Sequence, residues 1–235
     1  MSNANRKECE VLEDDVAEAL IHGRPLPPDL AAARVTGKVL PGESGNWYID
    51  RFTIDEQEAV AQMLRPTYIM TGRFVPPGTY TRLCDRRLGE SELGDVVMSD
   101  TPDEIRDHAA ILNMGHGRVL INGLGLGCVV HGLLSDERRM RVEHIDVVEK
   151  DEDVIKLMSP YLDDERVEIH HEDAFTIKWP IGSHWNCVWH DIWPELSDLY
   201  VPEITKLKQK YGNRCMWQGA WGERIMRDKS LWRSS

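Results

Sequence analysis

Residues Arg118 to Val130 read RVLINGLGLGCVV, and no other stretch limits the fold as strongly. A short apolar run, Val119 to Ile121, meets three glycines at alternate positions, Gly123, Gly125 and Gly127, and an apolar segment comes next. The pattern is strand, tight turn, helix. Glycines in such a turn let backbone N–H groups come close to a ligand, with no Cβ in the way. The spacing is G-x-G-x-G. The dinucleotide fingerprint G-x-G-x-x-G is not met, because the position of its last glycine holds Cys128.

Beyond the loop the chain alternates between strand and helix patterns, which predicts a parallel sheet covered on both faces. Strands are expected over Arg118–Asn122, Val142–Glu149, Arg166–His170, Trp185–Asp191 and Arg214–Gln218. Helices are expected over Leu126–Leu134, Asp153–Met158 and Val201–Tyr211, the last with Ile204, Leu207 and Tyr211 on one face and Gly212 placed as a C′ glycine. Too few residues remain after Gln218 for two more strands and a helix.

The first hundred residues read differently. A helix is expected over 8–22, with an acidic solvated face, and an irregular Pro/Gly/Ala-rich stretch over 24–46. A second helix is expected from Trp47 to Leu64, with Asp55 as N-cap. Short β-prone runs come after it at Thr67–Thr71, Thr79–Cys84 and Val96–Ser99, read as a small antiparallel unit. Thr101-Pro102-Asp103-Glu104 has the form of a capping box opening a helix over Asp103–Met114. The expected organisation is an N-terminal helical and β extension over residues 1–100 and an α/β domain over 101–235.

Composition narrows the function classes. A net charge of −12 is the opposite of a nucleic-acid binder's broadly basic footprint. Five scattered cysteines form no C-x-x-C pair, so neither a disulfide framework nor a zinc knuckle is suggested. There is no signal-peptide pattern and no apolar run long enough to cross a bilayer, so the expectation is a soluble, cytoplasmic protein with no membrane contact.

In a doubly wound sheet, ligands bind beyond the carboxyl ends of the strands, at the switch point. Four features fall at that edge: the loop from Asn122 to Gly127, including Leu124; Glu149, followed by Lys150; Asp173 in HEDAF, followed by Ala174 and Phe175; and Asp191 in WHDIWP. Glu149 is placed to accept hydrogen bonds from both hydroxyls of a ribose. Asp173 is placed to accept from an adenine amino group beside an apolar wall. Asp191 stands where a reacting atom would sit.

These residues resemble the class I S-adenosylmethionine-dependent methyltransferases. NGLGLG is similar to that family's glycine motif, VVEKDEDVI to its acidic ribose motif, HEDAF to its adenine motif and NCVWHDIWP to its fourth motif. Order and spacing agree over residues 118–191. A nearer resemblance is to spermidine synthase-like members, which carry a small β unit ahead of the Rossmann-like domain; VVMSDTPDEIRDHAAIL sits at the corresponding entry. The resemblance implies a Rossmann-like, doubly wound and mostly parallel sheet of about five strands, lacking the superfamily's last two. It also implies S-adenosylmethionine as methyl donor, with Asp191 orienting the acceptor. Two departures tell against aminopropyl transfer: Leu126 replaces an aspartate in the glycine loop, and DIWP supplies one acid where spermidine synthases have two.

Remaining candidates have plainer readings. Trp193 and Pro194 are expected beside the acceptor, and His190 as a substrate contact or a core residue. His108 reads as part of a solvated helix face, with lining of the pocket as the lesser alternative. His170 and His171 are adjacent on a strand and point to opposite faces, so no metal is expected. The basic tail after Lys206 reads as a solvated surface, or as a contact for an anionic substrate or another subunit in a homo-oligomer. The leading expectation is a methyltransferase of unknown acceptor. Its rivals are an aminopropyltransferase and a non-catalytic nucleoside-binding or assembly module; a nicotinamide dehydrogenase ranks last, because the loop spacing is wrong.

Overall fold

The computed structural model describes residues 25–64, 73–89, 94–135 and 141–228. The helix expected over 8–22 and the β run at Thr67–Thr71 lie outside the described residues.

The described residues form two sheets. The first is antiparallel, in the order β1 (Gly42–Ser44), β2 (Trp47–Ile54), β3 (Gly78–Asp85), β4 (Asp95–Ser99). The second is parallel throughout. It comprises β5 (Gly117–Asn122), β6 (Val142–Glu149), β7 (Val167–His171), β8 (Trp185–His190) and β9 (Cys215–Ala220), in the order β7-β6-β5-β8-β9. The strand order reverses at β5, which pairs with β6 on one side and β8 on the other, as in a Rossmann-like doubly wound sheet.

The helices are α1 (Pro28–Ala31), α2 (Glu56–Met63), α3 (Pro102–Asp107), α4 (Ala109–Met114), α5 (Cys128–Leu133), α6 (Glu152–Met158), α7 (Val201–Tyr211) and α8 (Glu223–Met226). β5 shows why the sheet needs cover on both faces. Its Val119 and Ile121 join one apolar cluster, while Leu120 joins another with Val188 and with Ile204, Leu207 and Tyr211 of α7. The first cluster takes in Ile111 and Leu112 of α4, Val130 and Leu133 of α5 and Val154 and Met158 of α6, which cover the opposite face, and Ala33, Val35, Val39, Ile49 and Leu83 of the N-terminal segment join the same cluster. Buried Asp100 ties that segment down. Its carboxylate accepts from the N–H groups of Val35, Thr36 and Thr81 and from the Thr36 hydroxyl.

Several expectations are corrected. Residues 47–54 form strand β2, and helix α2 begins only at Glu56. Asp55 does cap it, accepting from the Glu58 N–H at 2.8 Å. The helix expected over 103–114 is two short helices broken at His108, whose φ of −87° and ψ of 0° lie outside the helical region. Thr101 makes no side-chain cap; Glu104 instead accepts from the Ser99 N–H and hydroxyl. Gly212 is right-handed (φ −54°), a continuation of α7 and not a left-handed C′ residue. The stretch over 24–46 is less irregular than expected, since it contains α1 and β1. No helix among the described residues is long and apolar enough to cross a membrane.

Candidate active site

A cavity of about 480 Å³ opens at the carboxyl edge of the parallel sheet. Gly123 and Gly125 line it, with Glu149 and Lys150 after β6, Asp173 to Phe175 after β7 and Asp191 to Pro194 after β8. Trp47, Leu83, Arg87 and Met98 of the N-terminal sheet region, and Glu104 and His108 of the α3–α4 segment, close the other side. The strand ends bring three successive acids to one space, as their positions in sequence predict.

Not every residue expected there reaches it. The Asn122 and His190 side chains are fully buried, and neither borders the cavity. Asn122 Nδ2 donates to His190 Nδ1 at 2.9 Å, so His190 Nε2 is the protonated nitrogen that donates to Gln218 Oε1 at 3.2 Å. Burial lowers the His190 pKa to about 4. Both ring nitrogens are occupied and the ring is neutral, so His190 is a core residue. Leu124 and Gly127 also stand back from the cavity. Trp193 lines it but is buried, with its indole N–H donated to Glu203 Oε2 at 2.8 Å. It forms a fixed wall.

The glycines serve protein contacts first. Gly123 has φ of +100°, and a Cβ there would collide with the Asp191 carbonyl. Gly125 has φ of +50°, and a Cβ there would strike the Met98 sulfur. The Leu126 N–H donates to that sulfur at 3.2 Å, so a thioether from β4 rests on the loop. Glu149 is anchored too. Oε2 accepts from the Leu124 N–H at 3.0 Å and Oε1 from the Asp151 N–H at 2.9 Å. An ionised carboxylate offers about four acceptor sites, so Glu149 is oriented by the backbone and still has capacity for two hydroxyl groups. Asp173 Oδ1 accepts from the Phe175 N–H at 2.7 Å, which fixes the turn that presents Ala174 and Phe175.

The electrostatics centre on Asp191, whose side chain is 17% exposed. Burial, reinforced by the charges of Glu104, Asp107 and Glu149, raises its pKa to about 8. Burial raises Glu104 to about 7, against the opposing pull of its bonds from Ser99. His108 is buried, its pKa lowered to about 4 by desolvation, and its Nδ1 lies 3.8 Å from Asp191 Oδ2 with no hydrogen-bond partner. At neutral pH this side of the cavity therefore holds a protonated Asp191 facing a neutral imidazole. The solvated-face reading of His108 is corrected: the ring is buried and lines the cavity, as its lesser alternative had it, and Glu104, read only as a capping residue, lines the cavity too. The signal was there: Ile105, His108 and Leu112 fall at helical spacing on the buried face.

Three cations of the basic tail are held by local bonds. Lys208 and Arg227 both pair with Glu223, and Lys210 donates to the carbonyls of Ala174 and Ile177.

No family model and no curated protein sequence matches the chain. Similar solved structures, each matched over part of the chain, include several methyltransferases. An N-methyltransferase, NodS, from Bradyrhizobium japonicum is 12% identical over 49% of this chain and 62% of its own, with a TM-score of 0.36. An rRNA methylase from Streptococcus thermophilus is 10% identical over 57% of this chain and 80% of its own, with a TM-score of 0.39. A dimethyladenosine transferase from Plasmodium falciparum is 17% identical over 39% of this chain and 32% of its own, with a TM-score of 0.32. The chain thus spans less than two thirds of the length of the first and third of these. The overlap is one of partial fold, and the doubly wound assignment stands on this chain's own strand order.

Proposed function

We propose that the protein is a class I-like methyltransferase that binds S-adenosylmethionine along the carboxyl edge of the parallel sheet. One observation carries this reading: Glu149, Asp173 and Asp191, from the ends of three strands, line one cavity with Gly123 and Gly125. Glu149 would hold the ribose, and Asp173, Ala174 and Phe175 the base. The donor supplies an electrophilic methyl group on a sulfonium. The protein's part is to align donor and acceptor, exclude water with the Trp193–Pro194 wall, and take the acceptor's proton at Asp191 once that group is ionised.

Calorimetry tests the donor site. Glu149→Gln should weaken binding of S-adenosylmethionine or S-adenosylhomocysteine by roughly 1.5–3 kcal/mol, the range for hydrogen bonds to a charged group. Unchanged affinity in a folded variant removes the assignment.

A second reading, aminopropyl transfer to an amine, is favoured by one feature that the sequence did not show. Glu104 from α3 adds a second partly buried acid near Asp191. Competition between intact and decarboxylated donor separates the two. The methyltransferase reading expects the intact donor to bind better.

A further inference from the structure

The sequence alone predicts no metal, because His170 and His171 point to opposite faces of one strand. The pairing of two strands changes what His170 stands beside. β6 and β7 run parallel with Asp146 opposite Glu168 and Val148 opposite His170. Side chains two apart on a strand share a face. His144 and Asp146 therefore share a face with Glu168 and His170, the face on which Val148 packs beneath α7.

The distances are those of a ligand set. Asp146 Oδ1 lies 3.3 Å from His144 Nε2 and 2.9 Å from His170 Nε2. His144 Nε2 lies 3.9 Å from Glu168 Oε2, and one ligand atom from each of His144, Asp146 and Glu168 fits within 4.8 Å of the others. Four ligands held tetrahedrally at about 2.0–2.2 Å from an ion lie roughly 3.3 Å from one another. The His144–Asp146 pair already meets that spacing. Glu168 is 62% exposed and free to close the remaining gap.

The surroundings orient the central carboxylate. The Trp185 indole N–H donates to Asp146 Oδ2 at 2.7 Å, and His170 sits at Oδ1, held edge-on by Trp179 at 4.9 Å. Ligating carboxylates are commonly fixed by such outer contacts. The Arg118 guanidinium lies 3.4 Å from Oδ2 and opposes a cation, but its side chain is 54% exposed and can turn to solvent.

We propose that His144, Asp146 and Glu168 bind a divalent transition metal ion of the zinc class, with His170 and Trp185 orienting Asp146 and water completing the shell. An imidazole with two carboxylates suits such an ion better than calcium or magnesium, which prefer all-oxygen shells. The ion would clamp the edge strand β7 to β6. The proposal does not depend on the donor-binding reading.

The test is titration of chelator-treated, metal-free full-length protein with Zn²⁺ by calorimetry, and with Co²⁺ by visible absorption. One ion per chain should bind, and the cobalt spectrum should show no thiolate charge-transfer band. His144→Gln and Glu168→Gln should each weaken binding tenfold or more, while His171→Gln, on the opposite face, leaves it unchanged. Zn²⁺ should raise the melting temperature of the wild type and of His171→Gln, and far less that of Glu168→Gln. Both altered side chains are partly exposed, so at least one variant is expected to fold. The proposal is overturned if no saturable one-ion binding is seen. It is equally overturned if a thiolate band appears, or if folded Glu168→Gln binds as the wild type does. In those cases the cluster is a hydrogen-bonded Asp–His network only.

Discussion

At neutral pH the carboxyl of Asp191 keeps its proton, because burial and the charges of Glu104, Asp107 and Glu149 all oppose ionisation. The position of this acid was legible from its place after WNCVWH. Its protonation was not, since two of the three opposing charges come from α3. The consequence for stability has a definite sign. Asp191 titrates near 8 in the fold and near 4 when unfolded, so between those values the folded state binds the extra proton. Stability must then fall as pH rises through that window, by up to about 1.4 kcal/mol per pH unit for one proton. Asp191→Asn removes this loss. Its melting temperature relative to wild type should climb between about pH 4 and pH 8 and level off above, and a difference that is flat with pH would refute the raised pKa. If Asp191 also takes the acceptor's proton, kcat/KM should rise with pH through about 8, and that limb should vanish in the variant.

Among the elements, long periodic runs read correctly and junctions did not. α7 was expected and is found at Val201–Tyr211, because Ile204, Leu207 and Tyr211 mark a single apolar face. WYIDRFTI was absorbed into a helix, although aromatic and β-branched residues dominate it. The strong cap at Asp55 marks where the helix pattern starts, not where it is already under way. The break at His108 was hidden because its cause is tertiary: the ring turns into the cavity. The glycine loop was read for its effect on a ligand, yet its residues are fixed by the loop's own neighbours. That gives an element-scale expectation. Gly123→Ala meets both a positive φ and the Asp191 carbonyl, and should cost roughly 3 kcal/mol or more. Gly37 has φ of +90° with open space around it, so Gly37→Ala should cost only about 1–2 kcal/mol. Urea denaturation measures both, and equal losses would show that the loop tolerates a side chain.

For the whole molecule, the division near residue 100 that the sequence suggests separates two sheets, yet among the described residues the largest apolar cluster spans it, with only a small cluster of Ile54, Ala59 and Tyr80 confined to the N-terminal side. Ala33, Val35, Val39, Ile49 and Leu83 lie in the same apolar cluster as Val119, Ile121, Val130, Leu133 and Ile145. A Cβ on Gly132 in α5 would press against Ala33, so the N-terminal segment packs directly on the helix that follows the glycine loop. Polar ties cross the same boundary. Trp47 Nε1–H donates to Asp151 Oδ2 at 2.7 Å, the Ser44 hydroxyl to Asp153 Oδ1 at 2.7 Å, and Arg87 pairs with Asp151 at 3.1 Å. No local pattern announces these contacts, since their partners stand 64 to 109 positions apart in the chain. With α7 covering one face of the parallel sheet, α4 to α6 covering the other, and the N-terminal segment packed on that second helical layer, removal of the first hundred residues would expose the apolar outer side of those helices. The expected result is that a fragment of residues 101–235 shows no cooperative melt, while the full chain unfolds in a single transition with equal calorimetric and van't Hoff enthalpies. Two resolved transitions in the full chain, or a fragment melting as sharply as the whole, would show instead that the parallel sheet is self-sufficient. The cavity would then be assembled by docking of two independent units, and not by a shared core.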